Sequence, residues 1–259
     1  MKFSIITPSL NQGKFIEDTI LSVVNQNYPD FEHIVMDGGS TDETVSILKK
    51  YSHLKWISEK DSGQSNALNN GFRLATGDIC AWINSDDYYD EGTFQRVAEY
   101  FTQNKDCMFV YGDMTNIDAD KNITAKLVGD VMSRSELLKL PDIVRQPSCF
   151  WRRSIFDKVG YLNENLHLVF DYEFFLRITK YYTFHYLNKN MCFFRIYADT
   201  KTQRLLNKQF HELKRIMLSN FFELKPVSFK FLLGRYLDSI DESRVAHKLL
   251  TPLRKGKTQ

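Results

Sequence analysis

The sequence predicts an α/β fold in three parts: a mainly parallel, Rossmann-like half, a mixed α+β half fused to it, and a helical C-terminal tail. Three observations support this. Short β-branched apolar runs alternate with apolar residues at helical spacing over roughly the first third of the chain. Past Glu91 the alternation weakens into mixed strands and helices. From Lys201 onward the pattern is helical and basic.

The first half is predicted to contain four strands, FSIIT, FEHIVMD, LKWIS and ICAWIN. Apolar residues at helical spacing from Phe15 to Val24 predict the first helix. A capping box of Ser40 and Glu43 opens the second helix. The third runs from about Gln64 to Ala75, with Gly77 as its C-cap. Strands joined by helices of this length pair in parallel, so we expect helices on both faces of the sheet.

The second half is predicted to mix both element types and to close over the first half. In chain order the sequence indicates a helix near Thr93–Phe101, the strand CMFVYG, a hairpin around Asn116–Asn122, a helix near Ser133–Leu140, strand, turn and short helix in VRQPSCFWRRSIFDKVGYL, a helix over DYEFFLRITKYY, and strands near FHYL and CFFRI. In the helix DYEFFLRITKYY, the apolar residues Phe174, Phe175 and Ile178 should face inward.

Composition is typical of one globular domain with a short appendage: of 259 residues, 43% are hydrophobic and 25% are charged. The four cysteines are scattered without paired spacing, which predicts reduced thiols and argues against a zinc site or a disulfide framework. The first apolar run breaks at Pro8, and no apolar stretch of about twenty residues could cross a bilayer. We therefore expect a cytoplasmic chain.

Charge is unevenly distributed along the chain. The net charge is +2, yet from Asp199 to the end thirteen Lys and Arg accompany six Asp and Glu. The acidic remainder is where a metal ion could bind, and the basic tail could meet an anionic surface. We expect no nucleic-acid partner.

Polar clusters follow each predicted strand of the first half. Ligands of open parallel sheets bind outside the carboxyl ends of the strands, so these clusters are candidates for one shared site. They are Thr7–Asn11, Asp37–Ser40, Glu59–Gln64 and Asn84–Asp87.

The cluster Asn84–Ser85–Asp86–Asp87 is the first candidate site. Adjacent carboxylates repel each other and are costly to bury. Mg²⁺ or Mn²⁺ would relieve this cost, because such an ion binds one or two carboxylates and completes its coordination with water and phosphate oxygens. The alternative is an acidic turn in which Asp87 caps the next helix, and spacing alone leaves both interpretations open.

Three further candidates also have ordinary alternatives. Asp37, beside two glycines, could accept a hydrogen bond from a nucleobase or ribose, or belong only to a turn. Asp171 could take a proton from a hydroxyl in a partly apolar cleft, or interact with its helix dipole. Arg195, near Lys201, could neutralise a diphosphate or lie on a solvated face.

Taken in order, four stretches resemble glycosyltransferase family 2, nearest to enzymes of bacterial O-antigen and capsule assembly. They are IITPSLNQGKFIEDTILSVVNQNYPDFEHIVMDGGSTDET, SEKDSGQSNALNNGFRLATGDICAWINSDDYY, RQPSCFWRRSIFDKVGYLNENLHLVFDYEFFLR and FRIYADTKT. The resemblance implies a GT-A fold over residues 1–202, with a nucleotide-sugar-binding half at about 1–92 and an acceptor-binding half at 93–202. Residues 203–259 then form a basic amphipathic helical tail.

The resemblance also implies residue roles. Asp171 matches the catalytic base, and Asp86 takes the main metal position with Asp87 beside it. The implied donor-binding residues are Thr7, Pro8, Leu10 and Asn11 around the nucleoside, Asp37 on the base, Asp61 near the sugar or diphosphate, Asn84, Ser85 and Asp86 in the D-x-D element, and Arg195 near the diphosphate.

Three positions depart from the commonest family pattern. Asn84 replaces the first Asp of D-x-D, which shifts the metal role toward Asp86. Gly38 replaces the second Asp of the usual pair, so that Asp37 carries the nucleobase role alone. Tyr197 stands where many relatives carry His.

The function implied is inverting, metal-dependent transfer of a sugar from a nucleoside-diphosphate donor to a glycan or polyprenyl-linked oligosaccharide. UDP is preferred over dTDP and GDP, and Mn²⁺ or Mg²⁺ is the expected cofactor. One alternative is a sugar-1-phosphate nucleotidyltransferase, which should carry a Gly-rich basic loop where this chain has TPSLNQGK. The other is a non-catalytic carbohydrate-binding protein of the same fold.

The C-terminal tail has two interpretations. Phe210, Leu213, Met217 and Phe221 recur at helical spacing, which suits a helix docked on the core or one lying in a membrane interface. A further basic run follows, with no acidic residue after Glu242. It consists of Arg244, Lys248, Arg254, Lys255 and Lys257. This run favours reversible attachment to the anionic inner face of the cytoplasmic membrane.

Overall fold

The protein's structure, a computed structural model, describes residues 1–139, 144–197 and 205–220. Contacts between Cα atoms divide the chain into two units, Met1–Lys214 and Arg215–Gln259. The sheet, the helices packed on it and the cleft at its edge all belong to the first unit. Of the second unit, only residues 215–220 are described, and most of them complete the last helix.

The first half alternates strands and helices as the sequence predicts. Its elements are β1 (Phe3–Ser9), α1 (Ile16–Val24), β2 (Phe31–Asp37), α2 (Thr44–Leu48), β3 (Leu54–Ser58), α3 (Gln64–Leu74) and β4 (Ile79–Trp82). The pairs β1–β2, β1–β4 and β2–β3 are all parallel, which confirms the predicted pairing. The ends of these strands therefore lie along one edge of the sheet.

The second half mixes strands and helices, also as predicted. Its elements are β5 (Tyr88–Tyr89), α4 (Thr93–Gln103), β6 (Phe109–Ile117), β7 (Ile123–Leu127), α5 (Arg134–Lys139), a 3₁₀ turn (Gln146–Ser148), β8 (Cys149–Arg152), α6 (Ile155–Val159), α7 (Phe170–Ile178), β9 (Phe184–Arg195) and α8 (Leu206–Ser219). Phe174, Phe175 and Ile178 of α7 are buried, as their spacing predicts.

One sheet connects both halves. In the described part of the chain it has nine strands in the order β3-β2-β1-β4-β8-β6-β9-β5, and β7 pairs with β6 as a hairpin. The strand β8 is antiparallel to both β4 and β6, so it joins the parallel strands to the mixed region. Because β6 and β9 are parallel, β9 carries Arg195 back toward the end of β4.

Two predictions about helix ends were wrong. Ser40 does not cap α2, which begins at Thr44; its hydroxyl donates to Asp37 at 2.5 Å. Gly77 is not the C-cap of α3, which Ala75 provides. Gly77 instead lies so close to β1 that a Cβ atom there would be 2.7 Å from the Lys2 carbonyl oxygen.

The two strands predicted near FHYL and CFFRI form one continuous strand, β9. Its register against β6 shifts around Gly112 and Asp113, which explains the apparent interruption in the apolar pattern. The predicted end of α5 at Leu140, the closing segment at 198–202 and the basic tail beyond residue 220 lie outside the described residues. The four cysteines are buried free thiols, as predicted. Across the described ranges, no helix is long and apolar enough to span a membrane.

Candidate active site

A cleft of about 690 Å³ lies at the edge of the sheet where the parallel strands end. Residues from both halves line it. The sequence-predicted residues among them are Pro8, Leu10, Asp61, Asn84, Ser85, Asp86, Asp171 and Arg195. Their convergence follows from the topology, because β1 and β4 end side by side and α7 packs against the end of β4.

Trp82, the last residue of β4, connects the acidic loop to α7. Its ring lies 6.2 Å from the ring of Phe170 and 6.3 Å from that of Phe175, both on α7. The Trp82 carbonyl oxygen accepts a hydrogen bond from Gln146 at 2.8 Å. The contacts of the Trp82 ring with Phe170 and Phe175 place the first turn of α7, which contains Asp171, next to the end of β4, where the Asn84–Asp87 loop begins.

Asp87 supports the loop from inside the protein. It is fully buried, and its Oδ1 accepts the backbone N–H of Arg195 at 2.9 Å while its Oδ2 accepts the Asn84 amide at 3.1 Å. Burial, followed by the charge of Asp86, raises the pKa of Asp87 well above its usual value. Asp87 does not line the cleft, and both of its carboxylate oxygens already accept hydrogen bonds from the protein. Its metal role remains a prediction.

Asp86 presents its carboxylate to the cleft. Its Oδ2 accepts a hydrogen bond from the Tyr197 hydroxyl at 2.9 Å. Burial raises the pKa of Asp86, whereas the bond from Tyr197 and the charge of Arg195 act in the opposite direction. A cation at this carboxylate would favour its ionised form.

The residues present fit a divalent ion held by a single protein carboxylate. Asp86 supplies an anionic oxygen at the cleft surface, and Mg²⁺ commonly takes its other ligands from water and phosphate oxygens. The described residues contain no cluster of three or more His, Cys, Asp or Glu side chains arranged to enclose a metal. The site therefore suits an ion that arrives with a phosphate ligand better than a permanently enclosed ion.

Arg195 lies beside this loop, and its guanidinium donates hydrogen bonds to other groups of the protein. It is 1% exposed, and its guanidinium donates to the carbonyl oxygens of Asp86 and Ala119 and to the carboxylate of Asp18, each at 2.9 Å. The ring of Phe15 packs 4.5 Å from its guanidinium carbon. The predicted contact between Arg195 and a diphosphate remains a prediction. The hydrogen bond from Arg195 to the backbone carbonyl of Asp86 is present in the structure.

Asp61 also lines the cleft, and it occupies the space that a side chain at position 38 would fill. A Cβ atom on Gly38 would lie 2.8 Å from Oδ2 of Asp61. The other oxygen of Asp61 accepts the backbone N–H of Gly63 at 2.8 Å. In this chain a carboxylate from the loop after β3 thus stands where the commoner sequence pattern has one immediately after β2.

Three predicted donor-binding residues do not line the cleft. Thr7 is buried and bonds to His33 at 2.9 Å. Asn11 is exposed, and its side chain accepts the N–H of Thr41. Asp37 is 2% exposed, and its carboxylate accepts hydrogen bonds from Ser58 and from the loop that follows β2. Their predicted donor contacts remain predictions.

Several cleft residues were absent from the sequence-based site. They are Gln12, Gln146, His167, Tyr197, Gln209 and Leu213. Tyr197 was noticeable as a departure from the family pattern. Gln209 and Leu213 come from α8, in the predicted tail, and no local pattern connects them to the cleft.

Comparison with protein families gives a match to the model "Glycosyl transferase family 2" over residues 4–160. A curated relative, the "PGL/p-HBAD biosynthesis glycosyltransferase" of Mycobacterium tuberculosis, is 32% identical over 181 residues, which is 68% of each chain.

Two solved structures share the fold. S. aureus TarS 1-349 in complex with UDP-GlcNAc has a TM-score of 0.69 and 20% identity, covering 98% of this chain and 77% of that one. In the longer TarS structure the match covers 43% of that chain. The mannosyltransferase PcManGT from Pyrobaculum calidifontis, in complex with GDP-Man and Mn²⁺, has a TM-score of 0.62 and 18% identity, with coverages of 83% and 64%. At these identities the structures show the fold alone, and it is of the predicted GT-A type.

Proposed function

The chain belongs to glycosyltransferase family 2, and from that premise we propose how it acts. It transfers one sugar from a nucleoside diphosphate, preferably UDP, to a hydroxyl of a glycan or lipid-linked oligosaccharide in bacterial surface polysaccharide biosynthesis. The observation that carries this proposal is that Asp86 and Asp171 line the same cleft although they lie on different halves of the molecule.

The proposed reaction is a single displacement. The acceptor hydroxyl attacks the anomeric carbon as the bond from that carbon to the diphosphate oxygen breaks, and the electron pair leaves with the nucleoside diphosphate. Asp171 takes the acceptor proton, a contribution typically worth about 10²–10⁴ in rate. Because the nucleophile enters opposite the leaving group, the anomeric configuration inverts.

The proposed donor site lies around the ends of β1, β3 and β4. Pro8 and Leu10 border the nucleoside, Asp61 lies near the donor's sugar or diphosphate, and Asp86 faces the diphosphate. Donor contacts of Thr7, Asn11 and Asp37 and a metal contact of Asp87 remain part of the proposal, although these four residues do not line the cleft. When bound at Asp86, Mg²⁺ or Mn²⁺ would neutralise charge developing on the departing diphosphate.

The resemblance to enzymes of O-antigen and capsule assembly supports the acceptor class, since those pathways build glycans on lipid carriers. We also propose a cytoplasmic location, peripheral to the inner face of the membrane. The basic tail from Arg244 to Lys257 supports that location by its charge alone.

A sugar-nucleotide screen tests the proposal. Ligands that bind the native state raise its melting temperature, so we expect one sugar nucleotide with Mn²⁺ to produce a larger increase than its nucleoside. That donor should then give transfer to a synthetic polyprenyl-linked acceptor. The coupling constants of the anomeric carbon and proton in the product, measured by NMR, should show an anomeric configuration opposite to that of the donor. The absence of any shift or donor turnover across UDP-, dTDP- and GDP-sugars would contradict the proposal.

A further inference from the structure

The segment that leads into α7 is held from two sides, and one of them is the C-terminal helix α8. Residues 163–169 belong to no regular element, yet they precede the helical turn that contains Asp171. On the α3 side, Asn69 bonds to both backbone groups of Leu162 at 2.9 Å. On the same side, Asn66 donates to Glu164 at 2.9 Å and Ser65 to the Leu166 carbonyl at 3.2 Å.

Glu212 of α8 holds the other end of the segment. Its two carboxylate oxygens accept the backbone N–H of His167, each at 3.0 Å, and one of them also accepts the N–H of Leu168 at 2.9 Å. These residues end three positions before Asp171. A carboxylate that accepts backbone N–H groups forms charge-assisted bonds, which are stronger than bonds between neutral groups.

The same face of α8 also borders the cleft. Gln209 and Leu213 line it, and they lie three residues before and one residue after Glu212, so the three share one side of the helix. The N-terminal cap of α7 at Val169 makes no side-chain hydrogen bond. Glu212 therefore provides side-chain anchoring immediately before that turn.

We propose that Glu212 is a positioning residue, which fixes the His167–Leu168 backbone and through it the first turn of α7 and Asp171. Helix α8, which the sequence assigns to the tail, then both lines the cleft and positions the catalytic helix α7. The expected effect of Glu212 on catalysis rests on the proposed function. Its effect on the His167–Leu168 backbone does not, because hydrogen exchange at these two amides detects the bonds to Glu212 without any enzyme assay.

Hydrogen exchange of the full chain tests the structural part. Loss of bonds to a charged acceptor in Glu212→Ala should speed exchange at the His167 and Leu168 amides by roughly tenfold. We expect a smaller increase across the first turn of α7. Glu212→Gln keeps the length and one acceptor oxygen, so it should recover part of the protection, whereas the shorter Glu212→Asp should recover less. Lys208→Ala, at an exposed position one turn earlier in α8, is the matched control and should leave these amides unchanged.

Kinetics test the catalytic part with the donor that the screen identifies. Displacing a catalytic group by about 1 Å can cost a hundredfold, so Glu212→Ala should lower kcat by about ten- to a hundredfold with the donor KM unchanged. Glu212→Gln should restore much of it. Unchanged exchange at His167 and Leu168, or faster exchange with wild-type kcat, would overturn the proposal. If the wild-type chain transfers no sugar, the proposed function fails while the exchange data still decide whether Glu212 holds the segment.

Discussion

Arg195 and Asp18 are joined by a 2.9 Å bond between Nη2 and Oδ2, although 177 residues separate them in the chain. The arginine is 1% exposed and the aspartate 28% exposed. Lys121 reaches the other oxygen of Asp18 at 2.7 Å from a position that is 50% exposed. One carboxylate thus has a buried and an exposed cationic partner, which allows the two kinds of ion pair to be compared directly.

We expect Arg195→Met to destabilise the protein by about 3 kcal/mol, because it leaves the carbonyl oxygens of Asp86 and Ala119 without their donors and Asp18 without its buried partner. Lys121→Met should cost less than about 1 kcal/mol, as exposed pairs do. Urea unfolding of both variants measures the difference. Equal losses for the two variants would show that burial does not govern this cluster.

Asp171→Asn should abolish sugar transfer and leave nucleotide affinity nearly unchanged, because the amide keeps the shape of the side chain and cannot accept the hydroxyl proton. The expected fall in kcat is about 10²–10⁴-fold. Glu173→Gln is the control: it lies in the same helical turn, but its carboxylate pairs with Arg177 at 2.8 Å. Wild-type turnover in Asp171→Asn would remove this residue from the mechanism.

Asp86→Ala should eliminate Mn²⁺-dependent binding of the nucleoside diphosphate, measured by calorimetry, while the free nucleoside still binds weakly. The physical reason is that Asp86 offers the carboxylate at the cleft surface that can meet an ion carrying phosphate ligands. Asp90→Asn is the control, since that carboxylate lies 3.5 Å from Arg96 and outside the cleft lining. Metal-enhanced binding that survives Asp86→Ala would locate the ion elsewhere.

Stability should depend on pH through Glu32. Burial alone would raise the pKa of this carboxyl, but hydrogen bonds from Lys55, Ser4 and Thr76 outweigh it and lower the pKa to about 2. An unfolded glutamate titrates near 4.5. The stabilisation is therefore fully present above pH 4.5 and is lost as the pH falls through about 2.

For Glu32→Gln we accordingly expect a loss on the order of 3 kcal/mol at pH 7, and less than about half of that at pH 3. Urea unfolding at both values measures the loss, with Glu59→Gln as an exposed control. A loss of equal size at pH 3 and pH 7 would show that the ionised form of Glu32 is not what stabilises the sheet.

Much of the fold could be predicted because its signals are local. Alternation of short apolar runs with helical spacing identified β1 through β4 and their helices, and the parallel pairing followed from connection length. Local chemistry was less reliable where tertiary contacts compete for the same atoms. Ser40 illustrates this: its spacing from Glu43 suits a capping box, but its hydroxyl accepts the backbone N–H of Asn11, from the loop after β1, at 2.7 Å and donates to Asp37.

The sequence by itself therefore determined the parallel α/β half, the order of the polar clusters along the chain, and the acidic candidates, which are Asp37, Asp61, Asp86, Asp87 and Asp171. The tertiary structure decided which polar atoms face the cleft and which are already bonded inside the protein, as for Asp37, Asp87 and Arg195. It also decided that Glu212 reaches the segment before Asp171. Side-chain partners that lie tens to hundreds of residues apart depend on strand order and helix packing, which local periodicity does not encode.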